Sequence, residues 1–362
     1  MKKFIYIIIY LLPLVGFSQG LQPGFSKKEY TELLKISAKQ VDTTKVKMTI
    51  PAPENFKLIY RSSVLGLENR WDLWANNEQT AVLSIRGTTG DFISWLANFY
   101  AAMVPAKGSL QLEKNYKFNY ELASDPKAAV HTGWLVATGM LVRDILPKID
   151  SIYKAGTKNI IIMGHSQGGA IAYLLTSHLY NLRAKGILPA DIVFKTYCSA
   201  APKPGNLYYA YEYENTTAGG WAFNVVNASD WVPEMPVSVQ TTNDYNSVNP
   251  FVNAVPAIKK QKFLQQILLM KVYRKLSGPP RKSEAEYRKY LGDKVYKLVK
   301  KQMPEFEKPI YFESINYVRT GTSVILLPDA DYHTAFPDDI NKIFMHHFFE
   351  PYFFLLERMK GD

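Results

Sequence analysis

Residues 158–173 read KNIIIMGHSQGGAIAY, and they limit the folds open to this chain more than any other stretch. Ile160, Ile161, Ile162 and Met163 form an apolar run too short for a helix and suited to a strand buried on both faces. Gly164-His165-Ser166-Gln167-Gly168 follows in the pattern Gly-x-Ser-x-Gly, and Gly169-Ala170 opens an apolar, helix-favouring segment. A strand, a sharp turn and a helix in that order need small residues beside the serine, because a serine in strained dihedrals at such a corner has no room for larger neighbours. Its hydroxyl then stands clear of the backbone at a helix N-terminus, which favours developing negative charge. Ser166 is therefore a candidate nucleophile; the alternative is a Gly-rich turn without chemistry.

At 362 residues the chain suits one large domain or two modest ones and can bury a sizeable core. Its 47% apolar and 21% charged residues exclude both a disordered chain and a multi-span membrane protein. The first residues differ from the rest: Lys2 and Lys3, an apolar run over 4–15, then Gly16-Phe17-Ser18. That is the layout of a secretory signal cut after Ser18, with an uncleaved N-terminal anchor as the alternative. The run is shorter than a bilayer span. Cys198 is the sole cysteine, so there is no disulfide framework and no cysteine to carry a lipid at the cleavage site. The expected mature protein, residues 19–362, is exported (periplasmic or extracellular), soluble and without disulfides.

In chain order, residues 26–39 read as an amphipathic helix opened by a Ser26 cap, with Glu29 three residues on. Extended runs follow at 57–64, 71–75 and 80–85, the last ending in Arg86-Gly87-Thr88-Thr89-Gly90. A Gly-rich turn at the end of a buried strand is where an open α/β sheet places its ligand loops, which makes Thr88 a candidate oxyanion donor. Residues 91–103 read as an apolar helix and 105–126 as a polar, mobile stretch; together they form either a lid over an acyl-binding groove or ordinary packing. A long helix from His131 towards Gly156 then leads into the strand before Ser166, which gives a strand-helix-strand unit and a parallel sheet. Further strands are expected at 191–199 and 221–226. Asp230 stands in the loop after the second of these, where it either orients a histidine or caps a turn.

The segments SIRGTTG (84–90), VHTGW (130–134), GHSQGGAIA (164–172), CSAAPKPGN (198–206) and VVNASDWVPEMP (225–236) together resemble the class 3 lipase family, in the order that family shows them. The resemblance spans about residues 71–236 and resumes near Tyr317. It implies an α/β-hydrolase fold with a mostly parallel sheet flanked by helices. It also implies an exported esterase or lipase with a Ser-Asp-His triad in that chain order. Matched by position, Thr88 and the backbone N–H of Gln167 donate to the oxyanion, and His131 is a structural residue near the site. Members usually show the triad histidine followed by an acidic or polar residue three positions on and a tyrosine five on. His347 fits through Glu350 and Tyr352, His346 misses both by one, and His333 lies in a separate loop with Asp329 and Asp331. The resemblance implies Ser166, Asp230 and His347, with His346 and His333 left open. Neither a metal nor an organic cofactor is implied, and no cysteine or carboxylate cluster accompanies the paired histidines at ligand spacing.

The chain departs from the family pattern between Asp230 and His347, where the gap is wide. Residues 259–301 carry fourteen Lys or Arg against three acids, an excess equal to the +11 net charge of the whole chain. Two amphipathic helices, 263–276 and 287–299, are expected around Ser277-Gly278-Pro279-Pro280. An insert at about residues 250–305 of this kind docks on an anionic membrane surface or acidic polymer, caps the site, or packs as a solvated cap. No nucleic-acid module is recognisable, and nucleic acid is not an expected partner. Closing strands at 308–315 and 322–327 and a final helix at 338–357 complete the reading. The substrate class this sequence points to is a lipid or other carboxylic ester. A short-chain carboxylesterase, phospholipase, peptidase or acyltransferase, or a non-enzymatic binding protein on the same scaffold, stands as the alternative; oligomeric state is not legible.

Overall fold

The computed structural model describes residues 20–41 and 49–359, so the leader reading of residues 1–18 falls outside them. The apolar run before Ser166 is the middle of a seven-stranded sheet. In chain order its strands are β1 (Lys57–Arg61), β2 (Trp71–Ala75), β3 (Thr80–Ile85), β4 (Asn159–His165), β5 (Val193–Ser199), β6 (Ala222–Asn227) and β7 (Thr322–Leu326), and they are hydrogen-bonded in that same order. β2 is antiparallel to both β1 and β3, and every adjacent pair from β3 to β7 is parallel.

The helices are α1 (Lys27–Ala38), α2 (Phe92–Phe99), α3 (Thr132–Lys154), α4 (Gln167–Ala184), α5 (Leu207–Thr216), α6 (Ala254–Lys259), α7 (Phe263–Arg288), α8 (Val295–Gln302), α9 (Ala330–Ala335) and α10 (Phe349–Arg358). Both faces of the sheet are covered. Side chains alternate along β4 with a period of two: Ile160 and Ile162 join the core under α3 and α4, while Ile161 and Met163 join the core under α1 and α10. This explains why β4 reads as a continuous apolar run rather than an alternating one. The result is the mostly parallel sheet flanked by helices that the sequence leads one to expect.

α1 begins as expected, with Ser26 Oγ accepting the Glu29 N–H at 3.2 Å. Glu29 does not reach back to close the box; its carboxylate accepts from Tyr197 and pairs with Lys195. Five expectations need correction. α2 stops at Phe99, because Met103–Pro105 is drawn into antiparallel pairing with Ala129–His131. The stretch at 105–126 is not a loop but a hairpin of Lys107–Glu113 with Tyr116–Glu121, whose alternating Leu110, Leu112, Phe118 and Tyr120 enter the core. α7 is one helix running through Gly278, Pro279 and Pro280, since Lys275 and Leu276, whose carbonyls lose their N–H partners there, are exposed and open to water.

Residues 308–315 make only single bridges, Phe312 to Met103 and Ile315 to Val239. The last expected helix is split into a short 3₁₀ turn, Met345–His347, and α10. Pro351 sits in the first turn of α10, where an N–H has no intrahelical acceptor and its absence costs nothing. Among the described residues no helix is long and apolar enough to cross a membrane, and no cluster of His, Cys, Asp and Glu is arranged to hold a metal ion.

Candidate active site

β4 enters the corner at Gly164 and α4 leaves it at Gln167, so Ser166 must turn the chain through a sharp angle. It does so at φ 61° and ψ −132°, a region that costs a non-glycine residue about 1–3 kcal/mol and persists only where its surroundings hold it. Two features hold it here. The Ser166 N–H donates to the Ser199 carbonyl on β5 at 2.9 Å. The flanking glycines also permit a close crossing: a Cβ on Gly164 would lie 2.1 Å from the Gly168 carbonyl oxygen, and one on Gly168 would lie 2.2 Å from that of Ile85. Ser166 stands at the N-cap of α4 without spending its side chain on the helix.

That hydroxyl goes instead to His347, with Oγ 2.7 Å from Nε2. On the other side of the ring, Nδ1 lies 2.7 Å from Asp230 Oδ2. A buried carboxylate accepts, so Nδ1 carries the proton; Nε2 is then the acceptor and Ser166 the donor. Asp230 is kept in place by two further donors, the Tyr352 hydroxyl to Oδ2 at 2.8 Å and the Val232 N–H to Oδ1 at 2.9 Å. The other two candidate histidines are elsewhere. His346 Nδ1 meets the Tyr332 hydroxyl at 2.7 Å and its Nε2 meets the exposed Asp338 at 2.9 Å. His333 is exposed on α9, against the Tyr332 ring.

Thr88 stands beside Ser166 at the end of β3. Its hydroxyl donates to Gln167 Oε1 at 2.8 Å and accepts from Asn98 Nδ2 at 2.9 Å. Asn98 itself has no freedom to turn over. The Trp134 indole N–H, which can only donate, meets Asn98 Oδ1 at 3.0 Å, so the amide must present N–H to Thr88. Thr88 therefore accepts from Asn98 and keeps its own proton, which here goes to Gln167 Oε1. The Gln167 N–H opens α4 and has no intrahelical acceptor. The Thr88–Gln167 hydrogen bond thus brings the loop after β3 against the first residue of α4.

A second chain of hydrogen bonds runs beneath the first. His165 Nε2 donates to the His347 carbonyl at 2.8 Å, so its Nδ1 accepts from Ser199 Oγ at 2.9 Å, and Ser199 Oγ in turn accepts from the Tyr30 hydroxyl at 2.6 Å. Burial and the nearby His347 push His165 down to about 3, so it stays neutral and keeps this polarity. The residue before the nucleophile thereby ties the backbone of His347 to α1 and β5. His131 is also buried and neutral, pushed down to about 3; it donates to the Asn98 carbonyl at 3.1 Å and caps α3 through the Trp134 N–H. Nothing in the sequence marks Asn98 or Tyr30 as site residues, and Ser199 is marked only as part of the segment 198–206. They lie in unrelated segments, and only folding places them here.

Aromatic side chains line the approach to His347. Phe344 lies 6.1 Å from its ring, with Trp231 at 5.3 Å and Trp95 of α2 at 6.0 Å from Phe344. Phe92 and Phe99 of α2 and Phe348 are exposed beside them.

Residues 82–240, somewhat under half of the chain, match the family model described as lipase (class 3). No curated protein matches the chain. Solved structures similar to it include a lipase from Rhizopus microsporus var. chinensis, 23% identical over 59% of this chain and 71% of its own, with a TM-score of 0.43. Rhizomucor miehei triacylglyceride lipase is 21% identical over 59% and 77%, with a TM-score of 0.43. Lipase II from Rhizopus niveus is 24% identical over 59% and 77%, with a TM-score of 0.40.

Proposed function

With the class 3 lipase segment at residues 82–240 as the premise, we propose that this protein is a lipase that hydrolyses carboxylic esters, acylglycerols above all, through an acyl-enzyme on Ser166. The observation that carries this is the unbroken hydrogen-bonded series Ser166, His347, Asp230 at 2.7 Å for each link. Ser166 Oγ attacks the ester carbonyl carbon while its proton passes to His347 Nε2, and Asp230 stabilises the imidazolium. The oxyanion takes hydrogen bonds from the Gln167 N–H and the Thr88 hydroxyl. Collapse breaks the bond to the alcohol oxygen, which leaves with the proton from His347. Water then gives a proton to His347 as its oxygen attacks the acyl carbon; collapse breaks the bond to Ser166 Oγ, which takes that proton back from His347, and the carboxylic acid is released.

On this reading residues 19–362 are one hydrolase domain, 250–305 an insert in it, and residues 1–18 a leader removed on export. The test is hydrolysis of a nitrophenyl ester series from short to long acyl chains, with and without a micellar interface. A preference for long chains with a jump at the interface is expected for an acylglycerol lipase whose α2 moves as a lid. Short-chain preference without a jump identifies a carboxylesterase with α2 as a fixed wall. The bonds from Asn98 to Thr88 and Trp134 hold the C-terminal end of α2 in place. Absence of turnover on every ester would overturn the proposal.

The Thr88 geometry carries its own expectation. Thr88→Val removes the donor but keeps the shape, and should lower kcat about 10²-fold with little change in KM. Thr88→Ser, which keeps the hydroxyl, should recover most of that loss. Equal kcat for the Val and Ser variants would remove Thr88 from the oxyanion hole.

A further inference from the structure

α7 turns its apolar side away from the protein. Leu264, Leu268, Val272 and Leu276 recur every four residues along one stripe, with Phe263 and Ile267 beside it, and all six are exposed. Phe263 and Leu264 are 73% and 78% exposed, so this is no half-covered core face. The opposite face, with Ser277 and Glu284, is the one buried against the body.

Cations sit among these apolar side chains. Lys259, Lys271, Arg274 and Lys275 line a concavity of about 670 Å³ between α6 and α7, together with Ile267 and Met270. None of those four cations has an ion-pair partner among the described residues, whereas Arg288 and Lys289 further along are paired with Glu284, Glu313 and Glu286. The solvated cations cost little in water; it is the contiguous exposed apolar stripe among them that calls for something to cover it.

We propose that the α6–α7 face is a docking surface for a lipid surface rich in anionic phospholipid headgroups. Headgroup phosphates take the unpaired cations, and the acyl boundary takes Leu264, Ile267 and Leu268. Charge complementarity selects this occupant over the others. A second copy of the chain docked on the same face would set Lys and Arg against Lys and Arg. An acidic polymer in water would neutralise the cations but leave the apolar stripe wet.

The experiment is flotation of the purified protein with phosphatidylcholine vesicles, with and without phosphatidylglycerol, at low and high salt. Binding is expected only with the anionic lipid and should weaken as salt rises. Lys271→Glu, Arg274→Glu and Lys275→Glu together should weaken binding about a hundredfold. Leu264→Ser with Leu268→Ser should weaken it about tenfold. The thermal midpoint of both variants should match the parent, because these side chains touch no core, and Ser166→Ala should float like the parent. Equal binding to neutral vesicles, no binding to either, a dimer abolished by the leucine variant, or capture by a soluble polyanion alone would each overturn the proposal.

Discussion

Ser166→Ala should abolish ester hydrolysis, lowering kcat by about 10⁴-fold or more, while the thermal midpoint stays within a few degrees of the parent. The loss is large because no neighbouring group can replace the nucleophile. The hydroxyls around the corner are committed elsewhere, Ser199 Oγ between Tyr30 and His165 and Thr88 between Gln167 and Asn98. The fold should persist because Ser166 contributes its backbone to the structure and its side chain only to His347. Alanine accepts the positive φ about as poorly as serine does, so the strain at the corner is nearly unchanged. A phosphonate ester should label the parent at this residue and fail to label the variant. Substantial hydrolysis by Ser166→Ala would refute the acyl-enzyme.

The second large effect separates two adjacent residues. His347→Ala should cost about 10⁴-fold in kcat, whereas His346→Ala should cost less than about tenfold. Only His347 lies between Ser166 and Asp230; His346 faces the Tyr332 hydroxyl and Asp338. His346→Ala nevertheless loosens the turn that carries His347, because its ring is a support for Tyr332, whose hydroxyl also meets Asn227 Nδ2. Its effect should therefore appear in stability before activity. His333→Ala should leave kcat unchanged. The measurement is kcat for the three variants on one soluble ester. A larger loss for His346→Ala than for His347→Ala would mean that the turn at 345–347 is rotated in the working enzyme.

The corner around Ser166 was legible because local sterics demand it. Small residues at 164 and 168, an apolar run before them and a helix after them leave few backbone solutions, and every one of those requirements is written in consecutive residues. The same locality makes the sheet class, the core of β4 and the extents of β3 and α3 readable from periodicity. The sequence is silent where the decisive partner lies far away in the chain. The hairpin at 107–121 looked like a polar loop because its buried residues alternate with charged ones, and the core that receives them belongs to α3. α7 looked like two helices because Gly278 and two prolines follow one another, yet solvent access at that point lets the helix continue. The choice among His333, His346 and His347 was open for the same reason.

What the sequence by itself determined, then, is the strand-turn-helix with its candidate nucleophile, the family that the spacing of five segments resembles, and the confinement of the excess positive charge to residues 259–301. Only the tertiary structure decided which histidine meets Ser166, that Asn98 and Trp134 leave Thr88 with a proton to donate, and that α7 faces its apolar side outward. The physical reason is one of range. Turn sterics and hydrophobic period act between neighbours a few residues apart. A hydrogen bond between Ser166 and His347 exists only after β4, β6 and the 3₁₀ turn at 345–347 have been brought together by the burial of two cores on opposite faces of one sheet.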